Sequence, residues 1–272
     1  MGRGAIAFLL TASCAAHAQQ AGDTIVSGGW VHVYAIRTTG TVHTDLRPSL
    51  GGTLLGIPES FDSQGTSASV SGVDTLGLTL TRYLSDHWSL DFAGGIPAKV
   101  DVYGHGVVSP GGAFASLFSV DLGDPAVNPL GSARQWSPAL IAMYHFAGLS
   151  ARFQPFIGVG FSYTWFTQVR LNPAFEQQVK NGVGRQMAIA AGKPGPTSVS
   201  VDAGTTWAPV ANVGMPWIFG EHWIVVGSLG VAPFRTRTEV RIHASDGTLL
   251  SSSQVHVGID AMIGGLLLGY RF

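Results

Sequence analysis

The 272-residue chain is poor in charge, since only 11% of its residues are Asp, Glu, Lys or Arg, against the ~25% typical of soluble domains. Its 15 Lys and Arg are balanced by 16 Asp and Glu, which leaves a formal net charge of -1. Without a surplus of basic residues there is no electrostatic field to neutralise nucleic-acid phosphates. We therefore expect no nucleic-acid partner.

Long apolar runs are also missing, although 46% of the residues are hydrophobic. No segment reaches the ~18 consecutive apolar residues that a membrane-spanning helix needs, so the sequence excludes a helical membrane protein. The apolar residues are diluted by 37 glycines and by many Ser and Thr. This composition is typical of strands in which apolar residues alternate with small or polar ones, and it favours an all-β fold.

Cysteine is almost absent, because Cys14 is the only one in the chain. It lies within residues 1–18, where a basic residue precedes a short apolar run and the small residues Ala16 and Ala18. That order is typical of a secretory signal peptide. The sequence predicts that residues 1–18 are removed and that residues 19–272 form a single domain without disulfide or thiol chemistry.

Alternation with a period of two is the dominant pattern of the remaining chain. From Trp88 to Val102 the even positions are apolar with the single exception of Gly94, and most odd positions are small or polar. Such segments are long enough for membrane-spanning strands of ~9 to 11 residues, whereas strands of soluble proteins average ~5 to 6. We predict eight strands, at residues 24–37, 74–84, 88–102, 136–146, 154–168, 205–219, 223–240 and 255–272.

Short and long connections alternate between these strands, as in outer-membrane barrels. The short ones are 85–87, 147–153 and 220–222, and the long, Gly- and Ser-rich ones are 38–73, 103–135, 169–204 and 241–254. Aromatic residues such as Tyr83, Trp88 and Trp223 flank the short turns, as expected at a lipid boundary. We predict an eight-stranded antiparallel transmembrane β-barrel with short periplasmic turns and long extracellular loops. A soluble β-sandwich is the alternative, but it accounts poorly for apolar faces of this length.

Several segments resemble the outer membrane protein W (OmpW) family. They are WSPALIAMYHF at 136–146, QPFIGVGFSYTWF at 154–166, GIPAKVDV at 95–102 and the terminal GYRF at 269–272. The resemblance implies an integral barrel of the bacterial outer membrane, in contact with lipid and lipopolysaccharide. It also implies a partly hydrophobic lumen that passes small hydrophobic molecules. The sequence departs from the family pattern at residues 260–262, where Asp-Ala-Met stands in place of Asp-Pro-Trp.

Alternation also predicts which side chains face the lumen. The apolar candidates for a solute path are Ile141, Met143, Val210, Ile224, Val226, Phe234, Ile263 and Leu267, and the polar lumen candidates are Asp91, Lys99, His145, Asn212 and Arg271. We expect Asp91 to pair with Lys99 or Arg271, since a buried charge requires a partner. An eight-stranded barrel has an interior just wide enough for side chains to fill, so a plugged barrel is the alternative interpretation.

Catalytic and metal-binding motifs are scarce in this sequence. No HExxH, GxSxG or GxxxxGK motif occurs, and the nine histidines lack the spacing of metal ligands. His105, Asp121 and Asp124 of the second long loop are the only candidates for an acyl-transfer site. We expect neither an enzyme nor a cofactor. The alternative to solute passage is a structural, receptor or adhesion role of the long loops.

The chain stops on an aromatic residue without a polar tail. Leu266, Leu268, Tyr270 and Phe272 recur with a period of two, which predicts that they face lipid. The family resemblance implies that Tyr270 and Phe272 form the signal read by the outer-membrane assembly machinery.

Overall fold

The computed structural model describes residues 21–47, 58–110, 115–146 and 153–272. The predicted signal peptide and most of the predicted turn at 147–153 lie outside the described residues. Strands dominate the described part: β1 (Thr24–Leu46), β2 (Ser60–Ser63), β3 (Ser67–Val70), β4 (Val73–Tyr83), β5 (Trp88–Gly95), β6 (Ala98–His105), β7 (Val107–Val108), β8 (Val120–Asp121), β9 (Gly131–Trp136), β10 (Ala139–His145), β11 (Phe156–Leu171), β12 (Ser198–Ala203), β13 (Thr206–Phe219), β14 (Trp223–His243) and β15 (Leu249–Arg271).

Among the described residues, helical structure is limited to two short regions. One is a 3₁₀ helix over Ala115–Phe118. The other comprises α1 (Pro173–Val179), a π-helical segment over Lys180–Gly184 and α2 (Arg185–Ala190). In the described ranges, no helix is both long and apolar enough to cross a membrane.

Eight strands close into the predicted antiparallel barrel. Their order is β1, β4, β5, β10, β11, β13, β14 and β15, and β15 pairs with β1 to close the ring. The closing seam is long, because it extends from the pair Ile25 and Arg271 to the pair Leu46 and Ser251. Each barrel strand therefore has two neighbours, and the backbone groups of the paired residues are satisfied inside the sheet.

The alternation of side chains on β15 follows the sequence-based prediction. Leu266 and Leu268 are 56% and 48% exposed on the outer surface, whereas Leu267 between them is 7% exposed and faces inward. Tyr83 departs from its predicted place at the lipid boundary, because it is only 2% exposed and lies inside the barrel. It is the last residue of β4, and its side chain points inward like those of Thr79 and Thr81.

The strand predicted at residues 88–102 is divided in two. Its lower part, β5, pairs with β4 and β10, and its upper part, β6, pairs with β3 and β9. Gly95 lies at the break with φ near +150°, where an added Cβ would lie 2.2 Å from the carbonyl oxygen of Leu76. Only glycine tolerates this close approach.

The break reverses the alternation, and the prediction that Lys99 faces the lumen is therefore wrong. Asp91 of β5 faces inward as an odd-numbered residue, but in β6 the even-numbered Val100 is buried. The Lys99 side chain is 63% exposed and pairs with Asp101, with 3.4 Å between Nζ and Oδ1.

The described parts of the segments predicted as long loops form an outer extension above the barrel. The extension consists of β2, β3, β6, β9, β12, the helices and the upper parts of β1, β11, β14 and β15. It has a hydrophobic core of its own, which includes Leu46, Phe118, Phe175, Met187 and Leu250. The sequence does not predict it, because its short strands lack long alternating faces.

Candidate functional site in the barrel lumen

The barrel encloses a cavity of about 580 Å³, within the range of ~300–1,000 Å³ typical of small-molecule sites. All eight barrel strands contribute inward side chains to its lining. Most of the residues that the sequence predicts for the lumen line this cavity, namely Ile141, Met143, Val210, Val226, Phe234, Ile263 and Leu267 among the apolar ones and Asp91, His145 and Asn212 among the polar ones.

Three predicted lumen residues lie outside the cavity. Lys99 is on the outer surface of β6. Ile224 is fully buried in a cluster below the cavity. Arg271 lies at the short-turn rim, where its Nη1 atom is 3.7 Å from Asp23 Oδ2 and its Nη2 atom donates a hydrogen bond to the carbonyl oxygen of Glu221.

The expected pairing of Asp91 with Lys99 or Arg271 is also wrong. Asp91 instead accepts a hydrogen bond from Thr81, with 2.5 Å between Oγ1 and Oδ1. The two residues are close because Thr81 of β4 lies directly opposite Asp91 of β5 in the sheet.

The short-turn end of the lumen is sealed by a floor of packed side chains. This cluster consists of Ile25, Tyr83, Ile218 and Ile224, and each of these residues is at most 4% exposed. Above the cluster, His145 lies 3.2 Å from the hydroxyl of Tyr83 and 2.8 Å from the hydroxyl of Ser89, measured from Nδ1 and Nε2 respectively. These contacts leave no direct route from the cavity to the short-turn rim through the described side chains.

The barrel wall has a gap between the third and fourth barrel strands. Pairing of β5 with β10 ends at Ala93 and Ala139, and pairing of β6 with β9 begins at Ala98 and Gln135. Residues 94–97 and 136–138 between these pairs do not pair with each other.

The cavity extends into this gap. Its lining includes Phe92, Ile96 and Trp136, whose side chains are exposed on the outer surface of the barrel. The sequence contains a signal for this gap, because Gly94-Gly95 and Pro97 interrupt one strand and Pro138 interrupts the other. Glycine weakens a strand interior and proline removes a hydrogen-bond donor.

The two sides of the lumen differ in polarity. Strands β4 and β5 contribute Thr79, Thr81, Ser89 and Asp91. The opposite side, from β13 to β15, contributes mainly aliphatic side chains. Asn212 and Ser228 are the polar exceptions there. The lumen is thus polar on one side and apolar on the other. The sequence predicts both kinds of lumen residue but not their separation onto two sides.

The loop residues considered for acyl transfer are not assembled into a site. The carboxylates of Asp121 and Asp124 accept hydrogen bonds from the nearby amides of Gly123 and Ala126. The side chain of His105 is 3.3 Å from the hydroxyl of Ser69. In the described part of the chain no group of three His, Cys, Asp or Glu side chains is arranged to hold a metal ion.

The C-terminal residues lie at the short-turn rim, on the outer surface. Phe272 is 74% exposed and packs edge-on against Tyr270, with 5.0 Å between ring centroids. Tyr270 in turn contacts Trp223 edge-on. These rings form part of an aromatic belt of the kind that lies at a membrane boundary.

Known proteins are similar to this chain in sequence and in architecture. The model of the OmpW family matches residues 20–272. Outer membrane protein W of Vibrio cholerae is 24% identical over 197 residues, which cover 72% of this chain and 73% of that protein. Outer membrane protein W of Escherichia coli is 22% identical over 206 residues, which cover 75% of this chain and 76% of that protein.

The crystal structure of the outer membrane protein OprG from Pseudomonas aeruginosa has the same fold. Its TM-score to this chain is 0.67 at 21% sequence identity, over 94% of this chain and 98% of that one. Together with the closed ring of eight strands and the apolar outer surface, these findings confirm the sequence-based assignment. The chain belongs to the OmpW family and is an integral β-barrel of the bacterial outer membrane.

Proposed function

We propose that this barrel passes small hydrophobic molecules through its lumen and releases them sideways through the wall gap. One observation carries the proposal: a largely apolar cavity that is sealed at the short-turn end reaches the outer surface between residues 94–97 and 136–138. A solute in this cavity therefore has a route toward lipid and no direct route through the floor.

The lining favours apolar solutes over ions. A buried CH₂ group gains about 0.8 kcal/mol relative to water, whereas an ion loses its hydration without adequate compensation. Trp136 and Ile96 at the gap present apolar surface on both sides of the opening. The path is thus apolar from the interior to the hydrocarbon of the membrane.

Blocking the gap tests the sideways route. Gly94 offers open space for a side chain, because no atom lies within 4 Å of an added Cβ, and the same is true of Gly227 on the outer surface of β14. We expect Gly94→Phe to reduce uptake of radiolabelled toluene by cells that produce the protein, and Gly227→Phe, the matched control, to leave it unchanged. Equal uptake in both variants would contradict the sideways route.

A charge in the lumen tests passage itself. Met143 lines the cavity and is 5% exposed, so Met143→Arg places a cation on the path. We expect this variant to suppress toluene uptake several-fold while Met143→Leu retains it. Assembly of both variants is checked by gel mobility with and without heating.

A binding or structural role is the second candidate, and the sealed floor together with the ordered outer extension favours it. In that case the barrel is a scaffold and the extension contacts the partner. Normal toluene uptake by assembled Met143→Arg and Gly94→Phe proteins would select this alternative.

A further inference from the structure

A basic patch lies on the outer surface of the outer extension, directly above the wall gap. It consists of Lys99 of β6, Arg134 of β9 and Arg170 of β11, and all three residues are exposed. Lys99 lies directly opposite Arg134 in the sheet. Arg170 lies opposite Ser132, which precedes Arg134 by two residues on β9. Three cations are therefore gathered on three adjacent strands.

A β-bulge in β11 places Arg170 on this surface. Gln168 has φ near +51°, and the register shifts by one residue between Thr167 and Arg170. Strict alternation after Thr167 would point Arg170 inward, whereas the extra residue of the bulge returns it to the outer face. The Gln168 side chain also accepts a hydrogen bond from Arg134 Nε at 3.1 Å, which helps to fix the guanidinium.

The positive charge of the basic patch is only partly compensated. Lys99 Nζ lies 3.4 Å from Asp101 Oδ1. Arg134 donates to neutral oxygens, including the carbonyl oxygen of Pro97 at 3.3 Å. Among the described residues, no carboxylate forms an ion pair with Arg134 or Arg170. Like charges directly opposite each other destabilise a sheet, so the juxtaposition of Lys99 and Arg134 indicates an anionic ligand.

An aromatic and apolar surface lies immediately below the basic patch. Trp136 and Trp165 lie opposite each other on β9 and β11, two residues below Arg134, and their parallel rings have centroids 5.7 Å apart. Further down β11, Val159 and Phe161 are exposed on the same outer face. Tryptophan is typical of the boundary between hydrocarbon and headgroups. The basic patch therefore lies at the level of the headgroups of the outer leaflet.

We propose that the basic patch binds the phosphate groups of lipid A, the membrane anchor of lipopolysaccharide, and that the acyl chains lie along the apolar surface below it. Lys99 and Arg134 are cross-strand neighbours, so one phosphate can contact both, with the planar guanidinium as a two-pronged donor. Because Arg134 also bonds to Pro97 at the edge of the wall gap, the bound lipid stands at the mouth of the gap. The inference requires only the location in the outer membrane and is independent of solute passage.

Lipid binding to the purified protein tests this site. Lipid A with its two phosphates, and the same lipid without them, are titrated into the protein in detergent, and apparent dissociation constants are measured by native mass spectrometry. We expect the phosphorylated lipid to bind more tightly, by about fivefold for each cation that contacts a phosphate. Inorganic phosphate at the same concentration should not displace it. Displacement would assign the basic patch to free phosphate and overturn the inference.

Matched variants assign the binding to individual side chains. Lys99→Gln and Arg134→Gln should each weaken the binding of phosphorylated lipid A about fivefold, and Arg134→Lys, which keeps the charge, should lose less. Arg235→Gln is the control, because Arg235 of β14 is a 69% exposed cation away from the basic patch and pairs with Asp260. It should leave the affinity unchanged. Gel mobility before and after heating verifies that each variant is assembled.

Two results would overturn the inference. One is equal binding of lipid A with and without its phosphates. The other is an equal loss of affinity in Arg134→Gln and Arg235→Gln, which would indicate attraction by surface charge without a specific site. If Arg134→Gln does not assemble, the comparison of Lys99→Gln with Arg235→Gln decides in the same way. None of these results depends on toluene uptake, so this inference and the proposed function can fail separately.

Discussion

Phe272 has two separable roles at the residue scale. Its backbone N–H donates to the carbonyl oxygen of Thr24 at 2.9 Å, which joins the chain end to β1. Its ring contacts Tyr270 but remains largely exposed. A ring this exposed adds little to packing. We propose, as the family resemblance implies, that the assembly machinery reads Tyr270 and Phe272.

Replacing the terminal ring should therefore impair assembly more than folding. We expect Phe272→Ser, which keeps the backbone hydrogen bond, to lower the amount of protein in outer membranes severalfold while refolding into detergent stays near normal. Phe272→Tyr is the matched control and should assemble normally. Equal losses of Phe272→Ser in cells and in vitro would indicate a packing role instead.

His43 makes one part of the outer extension sensitive to pH. A hydrogen bond from His43 Nδ1 to Asp62 Oδ1, 2.6 Å long, raises the pKa of His43 above its ordinary value, with a further contribution from Asp45. His43 and Asp62 lie opposite each other on β1 and β2. A raised histidine pKa stabilises the folded state below about pH 6.5, and this contribution disappears as the pH rises through the raised pKa.

The pairing of β1 with β2 should consequently loosen as the pH rises through the raised pKa of His43. The measurement is the hydrogen-exchange protection factor of the Phe61 amide, which lies in this pairing opposite Thr44. We expect protection to fall with rising pH in the natural chain and to be independent of pH in His43→Gln. A protection factor that does not change with pH in either protein would remove His43 from this role.

Among the elements, α1 depends on a single capping residue. Asn172 Oδ1 accepts a hydrogen bond from the Ala174 amide at 2.9 Å, and Asn172 Nδ2 donates to the carbonyl oxygens of Val127 and Pro129. One side chain thus caps the helix and attaches it to the loop between β8 and β9.

Asn172→Ala should weaken the outer extension without opening the barrel. The loss of an N-cap costs about 1 kcal/mol. We expect faster proteolysis within residues 173–190 and unchanged resistance of the barrel to detergent, while Asn172→Asp, which retains the capping oxygen, should show a smaller effect. Simultaneous loss of the barrel would show that the two parts unfold as one unit.

The sequence predicts the barrel elements well because each long strand carries its own alternation. On β15 the phase of Leu266, Leu267 and Leu268 follows directly from that pattern. The pattern fails where a break shifts the phase, as between Asp91 and Lys99, because periodicity contains no information about a three-dimensional interruption. The outer extension is missed for a related reason: its strands β2, β3 and β12 have only 4 to 6 residues, and their pairing depends on distant partners.

Alternation likewise predicts some features of the lumen site and not others. Alternation identifies Asn212 and Met143 as inward residues. It does not reveal that Asn212 Oδ1 has no hydrogen-bond partner among the described residues, that Gly158 makes room for this atom, or that the strand pairing is interrupted near Pro138. Each of these features depends on which residues become neighbours across strands.

For the molecule as a whole, closure of the ring between β1 and β15 predicts resistance to detergent. A barrel without a free edge unfolds only when many hydrogen bonds break together. We expect unheated protein in dodecyl sulfate to migrate differently from boiled protein on a gel. Identical migration would argue against a closed barrel in solution.

Strand pairing is uneven around the ring. We call the side with continuous pairing the back of the barrel and the side with interrupted pairing the front. At the back, β14 and β15 pair continuously from Trp223 and Tyr270 to Ile242 and Ser251. At the front, β5 and β10 share only the pairs from Trp88 and Tyr144 to Ala93 and Ala139 before the wall opens. Another protein can pack against the back without covering the opening, whereas a neighbour at the front would obstruct it. For the sideways release proposed above, the in-plane orientation of the barrel in a crowded membrane would thus determine whether a solute can leave its interior.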